Sequence, residues 1–213
     1  MKELPKYLTK TEKRAVAEHS IEIEKEFSVT RGHGMNYTKA NKGKENPNFN
    51  QGKEYQLNCQ TCTVTHWLRR QGFDIEAKPN INGSAYDEFK KQGITWEQRF
   101  LNLDGSNVDY DFTYKWKLRK KYKTMNSKRI AEYFNEKLNH DGVYEIYCGW
   151  QKSRSAHVFL AEVTKGKVHF FDPQTGKDDV RAYIPRMNLD LVGIIRIDNK
   201  IVNPKIKNLF IKK

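Results

Sequence analysis

The sequence is poor in cysteine and has no long apolar run. Three cysteines in 213 residues do not make a disulfide framework, because their number is small and odd. A reducing compartment is therefore the simpler expectation. No stretch reaches the roughly 18 consecutive apolar residues that a membrane-spanning helix requires, and no apolar run follows the N-terminal residues. We accordingly expect no signal peptide, no transmembrane segment and no membrane partner.

Acidic residues are outnumbered by basic ones. The chain contains 39 lysines and arginines against 26 aspartates and glutamates, which gives a formal net charge of +13. Such an excess favours contact with polyanions or acidic partners, although charge alone does not identify nucleic acid. Apolar residues make up 37% of the chain and aromatic residues 12%. That content is enough to bury a core, either in one large domain or in a domain with an N-terminal extension.

The stretch from Asn58 to Gly72 predicts a short helix with a cysteine in its first turn. Asn58 favours the N-cap position, where we expect its side-chain oxygen to accept a backbone N–H, and Gly72 marks the end of the helix. Apolar residues recur at helical spacing, at Val64, Trp67 and Leu68. Cys59 then lies at the positive end of the helix dipole, which favours the nucleophilic thiolate. The alternative is that Cys59 is a small buried apolar residue.

Helical patterns precede strand patterns along the chain, which indicates an α+β fold. Helices are predicted over residues 9–27 with Thr11 as the cap, 84–92 and 128–138. Strands are predicted at residues 73–77, 143–148, 156–163, 168–174 and 191–197. The last four are separated by turns and fit an antiparallel sheet.

Three segments follow from this order of elements. Residues 1–45 form a helix-and-loop extension, and residues 46–200 form the domain that carries Cys59 and the strands. The irregular stretch over residues 28–57 leads into Cys59, so we expect part of it to line the site. Residues 201–213 form a basic tail that we expect to be only partly structured.

The most basic run extends from Tyr114 to Lys123 and alternates aromatic with basic residues. Alternation predicts an edge strand whose lysines discourage pairing with other strands. The alternative is a surface that stacks on bases and neutralises phosphates. We favour the edge strand, because the run lies between structured segments, so nucleic acid is the less favoured partner.

A predicted hairpin in the C-terminal half brings polar side chains together. Lys165 and Gly166 predict a two-residue turn between its strands. The resulting pairs are Val163 with Val168, Ala161 with Phe170, Phe159 with Asp172, and His157 with Gln174. Paired residues share a face of the sheet, so His157, Asp172 and Gln174 are predicted to project from one side. A carboxylate in that position can hold an imidazole N–H and fix its tautomer.

Several blocks of the sequence resemble one known family. They are Asn58-Cys59-Gln60-Thr61-Cys62 with residues 68–79, His157-Val158-Phe159 with residues 171–177, and the flanking blocks Asn46-Pro47-Asn48 and Arg196-Ile197-Asp198-Asn199. Together they are similar to the papain-fold toxin family of glutamine deamidases, which occurs in bacterial polymorphic toxins, prophages and the C-termini of phage head proteins. The resemblance covers residues 46–199. Such members often have glycine before the histidine, where this chain has Ala156.

The resemblance implies a papain-like α+β fold with a nucleophile helix and a C-terminal antiparallel sheet. Cys59 is then the nucleophile, His157 the general base and acid, and Asp172 the orienting group. The oxyanion is expected to bind the backbone N–H of Cys59 and a side-chain donor. Candidate oxyanion and substrate-binding side chains are Gln51, Gln56, Asn58 and Gln174. No metal and no cofactor is implied.

The resemblance also implies a biological setting. Deamidation of glutamine side chains in a target protein, cleavage of peptide bonds and transglutamination all stay open. The implied partners are a macromolecular protein target, a cognate immunity protein and a phage head protein. The implied place of action is the bacterial cytoplasm, a phage particle or a cell that receives the protein as a delivered effector.

Other interpretations of the cysteines compete with catalysis. Cys59, Cys62 and His66 offer three zinc ligands on one helix face, but a structural site needs four. Candidates for the fourth are Cys148, His157 and His169, none at a paired spacing. A thioredoxin-like redox pair requires a βαβ context that is poor here. We therefore predict that Cys62 and Cys148 are core residues. The competing function class is a basic phage structural or nucleic-acid-binding module without enzymatic activity.

Overall fold

The computed structural model describes residues 7–41 and 43–212. In chain order its α-helices are α1 (Lys10–Phe27), α2 (Tyr37–Ala40), α3 (Cys59–Gln71), α4 (Ser84–Lys91), α5 (Thr113–Arg119) and α6 (Ser127–Lys137). Its strands are β1 (Ile75–Ala77), β2 (Phe100–Leu101), β3 (Asp111–Phe112), β4 (Gly142–Trp150), β5 (Ala156–Thr164), β6 (Lys167–Phe171), β7 (Met187–Arg196), β8 (Ile201–Val202) and β9 (Phe210–Lys212). The strands pair antiparallel, so the α+β class predicted from the sequence is confirmed.

The described residues divide into two compact units. The first comprises residues 7–41, 43–108, 173–177 and 199–212, and the second comprises Asp109–Asp172 and Asp178–Asp198. The three-segment division drawn from the sequence stays a prediction. What the structure adds is that the N-terminal helix and the residues after 200 both belong to the first unit.

The core of the first unit is organised around α3. The three apolar residues that predicted this helix are completely buried, namely Val64, Trp67 and Leu68. Gly72 ends the helix with a φ of 108°, as the sequence predicts. At this point the backbone of Gly32 lies so close that a Cβ on Gly72 would stand 2.6 Å from the Gly32 oxygen. The end of α3 therefore requires glycine for its conformation and for its packing.

The residues after 200 are structured, so the expectation of a partly structured tail is wrong for the described part. Strand β9 pairs with β1, and β8 pairs with β2. The imidazole of His19 on α1 contacts the carbonyl oxygen of Val202 at 2.7 Å. Basic composition does not prevent this segment from folding, because apolar residues recur along it and bury one of its sides. The buried apolar residues of the segment are Val202, Ile206, Leu209 and Phe210.

The N-cap of helix α1 lies two residues before the cap predicted from the sequence. Thr9, and not Thr11, is the N-cap. The Thr9 hydroxyl accepts the backbone N–H of Glu12 at 3.1 Å, and the Glu12 carboxylate accepts the backbone N–H of Thr9 at 2.8 Å. This reciprocal pair is a capping box. Thr11 lies within the first turn of the helix. From there its side chain cannot accept the first-turn backbone N–H groups that have no acceptor within the helix.

The second unit is built on one antiparallel sheet with the strand order β3-β7-β4-β5-β6. Helix α6, whose N-cap is Asn126, contributes to the core cluster that covers one face of the sheet. The cluster residues on that helix are Ile130, Tyr133 and Phe134. On the same face Cys148 of β4 is completely buried and pairs directly with His157 of β5. The prediction that Cys148 is a core residue is confirmed.

The basic run from residue 114 to 123 is not an edge strand. Its first part is helix α5, on which Thr113 and Trp116 are buried at a spacing of three residues. Alternation over so few residues does not distinguish the two periods, because a single buried tryptophan satisfies both. The edge of the sheet is instead the short strand β3, which pairs with β7 and directly precedes the helix.

The cations of α5 are paired with carboxylates of the same unit. Arg119 contacts Asp111 at 2.6 Å, and Lys115 contacts Asp109 at 3.1 Å. Lys117 pairs with Asp190. The most basic run of the sequence is therefore partly neutralised by its own surroundings.

Candidate active site

Cys59 is the first residue of α3 and is partly exposed, whereas Cys62 and Cys148 are buried. Asn58 occupies the N-cap position as predicted, but its side chain caps no backbone N–H. The backbone carbonyl oxygen of Asn58 accepts hydrogen bonds from the backbone N–H groups of Thr61 and Cys62, both at 3.0 Å. The predicted capping bond is wrong, because the side-chain oxygen of Asn58 accepts the Cys62 thiol at 3.3 Å and no backbone N–H of the helix.

A buried network of amide side chains surrounds the start of α3. Asn58 Nδ2 donates to Asn46 Oδ1 and to the Lys78 carbonyl oxygen, both at 3.1 Å. Asn58 Oδ1 accepts from Gln174 Nε2 at 3.2 Å. Asn46 Nδ2 in turn donates to the carbonyl oxygens of Gln174 at 2.9 Å and Tyr55 at 2.7 Å. The network ties three separate stretches of the first unit to the residue before Cys59.

The Asn58 side chain uses all of its hydrogen-bonding capacity inside this network. It makes two donations and accepts two hydrogen bonds, which is what an amide side chain can do. Asn58 and Asn46 are each 1% exposed and Gln174 is 5% exposed. This arrangement favours a positioning role for Asn58 over direct contact with a substrate.

The remaining amide candidates lie at the surface of the first unit. Gln51 and Gln56 are exposed, and Gln56 Nε2 donates to the Phe49 carbonyl oxygen at 3.3 Å. Gln56 ends the 3-10 helix Lys53–Gln56, three residues before Cys59. The choice of a side-chain oxyanion donor stays open between these two glutamines and Gln174.

His157 and Asp172 form a hydrogen-bonded pair in the second unit. His157 Nε2 lies 3.1 Å from Asp172 Oδ2. The Asp172 side chain is fully buried, whereas the His157 side chain is 10% exposed. The Tyr183 hydroxyl donates to the same carboxylate oxygen at 2.9 Å. Asp172 Oδ2 thus accepts hydrogen bonds from His157 and Tyr183, and the bond with His157 orients the imidazole.

Aromatic rings enclose the His157 imidazole. Trp150 stacks at a centroid distance of 5.9 Å and an interplanar angle of 20°, and Phe159 stacks at 6.3 Å and 15°. Tyr183 contacts the ring edge-on at 5.8 Å. Together with the Asp172 bond, these contacts limit rotation of the imidazole. No sequence pattern indicates that Trp150 or Tyr183 belongs to the site. Tyr183 lies in the 3-10 helix Arg181–Arg186, where no periodicity identifies buried positions.

The predicted hairpin register is confirmed over most of its length. Val163 pairs with Val168 and Ala161 with Phe170 around a turn at residues 165 and 166. The last pair is Leu160 with Phe171. The predicted pairings of Phe159 with Asp172 and of His157 with Gln174 are wrong, because β6 ends at Phe171 and a turn follows. His157 nevertheless meets Asp172 through its side chain.

A second histidine–carboxylate pair, which the sequence analysis missed, lies in the first unit. His66 Nδ1 is 2.6 Å from Glu45 Oε1, and both side chains are fully buried. Burial, followed by the charges of Arg70 and Arg69, holds the pKa of His66 well below its ordinary value. The imidazole is therefore neutral near pH 7 and donates a hydrogen bond to Glu45. This bond holds the residue before Asn46 against α3.

The contacts of α3 bear on the zinc interpretation. The Cys62 thiol is bonded to Asn58 and His66 to Glu45. Across residues 7–41 and 43–212, no group of three or more His, Cys, Asp or Glu side chains is arranged to hold a metal ion. Within the same described ranges no helix has the length and apolar character needed to cross a membrane.

The structure thus brings the predicted residues together in two sets. His157 meets Asp172 in the second unit, and Asn58 meets Gln174 in the first unit, directly before Cys59. In comparisons with known proteins, no family model matches the chain, and neither a curated protein nor a solved structure is significantly similar to it.

Proposed function

We propose that the protein is a cysteine-dependent amide hydrolase with a papain-like fold, in which Cys59 acts with His157 and Asp172. The observation that carries the proposal is the 3.1 Å hydrogen bond between His157 Nε2 and Asp172 Oδ2. The predicted hairpin and the blocks that resemble the family both include these two residues. The contact supplies the oriented imidazole that a nucleophilic cysteine requires.

Two features of the first unit support Cys59 as the nucleophile. It is the partly exposed cysteine among three, so a substrate can reach it. It also begins a helix of 13 residues, where backbone N–H groups lack helical acceptors and the dipole favours negative charge. Cys62 is buried, and its backbone N–H donates to the Asn58 backbone oxygen. Its thiol is hydrogen-bonded to the Asn58 side chain.

The chain connects the two sets of residues. Asp172 precedes Gln174 by two residues, and Gln174 is bonded to Asn58, the neighbour of Cys59. In the proposed site the amide network of Asn46, Asn58 and Gln174 holds the start of α3 against residues 173–177 of the same unit. These residues position the catalytic groups and do not themselves react.

The proposed reaction has two steps. His157 takes the proton of the Cys59 thiol, and the thiolate attacks the carbonyl carbon of the amide. The C–N bond breaks, His157 gives the proton to the leaving amine or ammonia, and a thioester forms. His157 then takes a proton from water, whose oxygen attacks the thioester, and the carboxylic acid leaves as Cys59 recovers its proton. The backbone N–H of Cys59 stabilises the oxyanion in both steps.

The substrate we propose is a glutamine side chain in a target protein, with the protein acting as a bacterial toxin or effector. The resemblance of the cysteine and histidine blocks to glutamine deamidases supports this choice. The net charge of +13 favours an acidic target, chiefly by raising the association rate. A nucleic-acid-binding module is less well supported, because carboxylates of the same unit pair with the cations of α5.

Mass spectrometry tests the proposal. Glutamine-containing peptides and candidate bacterial proteins are incubated with the wild type and with Cys59→Ala. Deamidation replaces an amide NH₂ by OH and raises the substrate mass accordingly, whereas proteolysis yields fragments. We expect one of these changes with the wild type and none with Cys59→Ala, while Cys62→Ala keeps activity if it folds. Loss of activity in Cys62→Ala with normal activity in Cys59→Ala would contradict the assignment.

A further inference from the structure

Two cysteines of helix α3 lie three residues apart and differ in access. Cys59 is the first residue of the helix and is partly exposed, whereas Cys62 is completely buried. Both carry thiols in the structure, and we call them the cysteine pair. The proposed reaction uses Cys59 and gives Cys62 no chemical role. Two thiols of unequal access suit disulfide chemistry, in which the exposed sulfur meets the oxidant and its neighbour then replaces the oxygen.

The geometry of an α-helix brings the two residues of the cysteine pair within reach of each other. Three residues along a helix correspond to a rise of about 4.5 Å and most of one turn, so the two Cα atoms stand roughly 5 Å apart. Disulfides join residues whose Cα atoms are about 4.4–6.8 Å apart. Side chains three positions apart are also neighbours on the helix surface. The first turn of α3 can therefore hold a disulfide with little movement of its backbone.

The Cys62 thiol is directed toward the start of the helix. It donates to Asn58 Oδ1 at 3.3 Å, and Asn58 directly precedes Cys59. This contact agrees with the tilt of helical Cα–Cβ bonds toward the N-terminus. If a disulfide replaces this weak S–H donor, the Asn58 oxygen keeps its hydrogen bond from Gln174 Nε2 at 3.2 Å. The amide network is therefore compatible with both oxidation states of the cysteine pair.

The surroundings of the cysteine pair differ from those of a dithiol reductase. The 3-10 helix Lys53–Gln56 precedes α3, where a thioredoxin-like protein has a strand of a βαβ unit. Cys59 is instead the proposed nucleophile of a hydrolase, so a bond to its sulfur stops the reaction. Oxidation of the cysteine pair thus acts on the activity of the protein itself.

We propose that oxidation joins Cys59 and Cys62 in a disulfide that reversibly switches the hydrolase off. This inference rests on the proposed function and describes the regulation of the same site. Disulfides in reducing compartments are transient and serve catalysis or redox sensing. The protein is therefore active where thiols are kept reduced and inactive under oxidising conditions. The disulfide also protects Cys59 from irreversible oxidation to the sulfinic acid.

The switch has two balanced steps, and its oxidant is a hydroperoxide. The Cys59 sulfur attacks the peroxide, an S–O bond forms, the O–O bond breaks, and the thiol proton leaves with the second oxygen as water or an alcohol. Cys59 is oxidised by two electrons to the sulfenic acid, and the peroxide is reduced. The Cys62 sulfur then attacks the Cys59 sulfur, the S–S bond forms, and the S–O bond breaks. The Cys62 proton leaves with the hydroxide as water, and a dithiol later reverses the bond by exchange.

Peptide mapping measures this disulfide without any substrate. The wild type, Cys62→Ser and Cys148→Ser are treated with excess hydrogen peroxide, and the remaining thiols are alkylated. Trypsin then releases residues 54–69, which contain the whole cysteine pair. Activity on a glutamine peptide is measured before oxidation, after oxidation and after addition of dithiothreitol. Cys148→Ser is the matched control, because it removes a buried cysteine of the second unit, and thermal unfolding verifies that the variants are folded.

We expect the wild-type peptide to lose two hydrogen atoms, and activity to fall in proportion to the fraction of chains that carry the disulfide. Dithiothreitol should restore activity in the wild type and in Cys148→Ser, but not in Cys62→Ser, where Cys59 proceeds to the sulfinic acid. Oxidised wild type without a Cys59–Cys62 bond, or recovery of Cys62→Ser equal to that of the wild type, would overturn the inference and leave the proposed function intact. A disulfide in a protein whose reduced form modifies no peptide would instead overturn the proposed function.

Discussion

Two histidine–carboxylate pairs, each with a fully buried carboxylate, are similar in composition and differ in access. His66 and Glu45 lie 2.6 Å apart in the first unit with both side chains fully buried. His157 and Asp172 lie 3.1 Å apart in the second unit, and the imidazole keeps 10% of its surface exposed. A general base must exchange its proton with a reacting group. The buried pair is therefore structural, and the partly exposed pair is the one suited to chemistry.

The surroundings of each pair reinforce this difference. His66 lies within α3, and its bond to Glu45 fixes the segment that leads to Asn46. His157 lies near the start of β5 between aromatic rings, with an oriented carboxylate behind it. A histidine beside a carboxylate is thus not evidence of catalysis by itself. Exposure and the role of the neighbouring residues decide between the two interpretations.

Replacement of His157 should have the largest effect on activity. We expect His157→Ala to lower kcat/KM on a glutamine peptide by about 10³-fold or more, because the general base is lost. Thermal unfolding verifies that the variant is folded, because His157 also packs between aromatic rings and binds the buried Asp172. The matched control is His140→Ala, which removes an exposed histidine of the same unit. Comparable losses in both variants would mean that His157 has no special role.

Replacement of Glu45 should have the largest effect on stability. Glu45→Ala removes the acceptor of the buried, neutral His66 Nδ1–H, and we expect the free energy of unfolding to fall by about 1–3 kcal/mol. Denaturant unfolding measures this change, with Glu97→Ala, also in the first unit, as the control. Wild-type stability together with lost activity would assign Glu45 to catalysis and remove the contrast between the pairs.

The buried pair should also make stability depend on pH. The pKa of folded His66 lies well below 6.5, so below that pH the unfolded chain binds the proton more tightly. The stability associated with this pair is therefore fully present above about pH 6.5. Below that pH, we expect the free energy of unfolding to fall by up to about 1.4 kcal/mol for each pH unit. Glu45 faces this imidazole, and Arg69 and Arg70 oppose its protonation. Unfolding of wild type and His66→Asn between pH 5 and 8 isolates the effect; parallel curves would contradict it.

The smallest effect that we expect concerns Tyr183. Tyr183→Phe removes one of two donors to Asp172 and keeps the aromatic contact with His157. A neutral hydrogen bond contributes about 1 kcal/mol, so kcat/KM should fall by about fivefold. A displaced pH–rate profile would accompany the loss if Tyr183 acts through the Asp172–His157 pair. An unchanged profile and rate would remove Tyr183 from the site.

Local signals in the sequence are sufficient for the turn and first part of the hairpin and for helix α3. Lys165 and Gly166 adopt φ values of 51° and 72°, as a tight turn between antiparallel strands requires. The alternation on both sides then determined the register. The pattern over residues 59–71 is equally local, because a helix and its glycine stop depend on neighbours in sequence.

The rest of the site depends on contacts that are distant in sequence. Asn46 and Gln174 lie 128 residues apart, and neither carries a pattern that announces their contact. The Asn58 side chain was expected at the helix cap because the cap is the local solution, but a buried network offers it four partners. The sequence predicts a strand where helix α5 lies, because the pattern around Trp116 fits the period of a strand as well as that of a helix. Tyr183 was missed because irregular segments have no period.

Labelling of Cys59 tests the central claim most directly, because it requires no knowledge of the target. The rate of alkylation by iodoacetamide is measured at Cys59 by peptide mapping in the wild type, His157→Gln and His140→Gln. The buried Cys62 and Cys148 serve as internal references. We predict rapid alkylation in the wild type and in His140→Gln, and slow alkylation in His157→Gln. Equal rates in all three proteins would contradict the cooperation of Cys59 with His157.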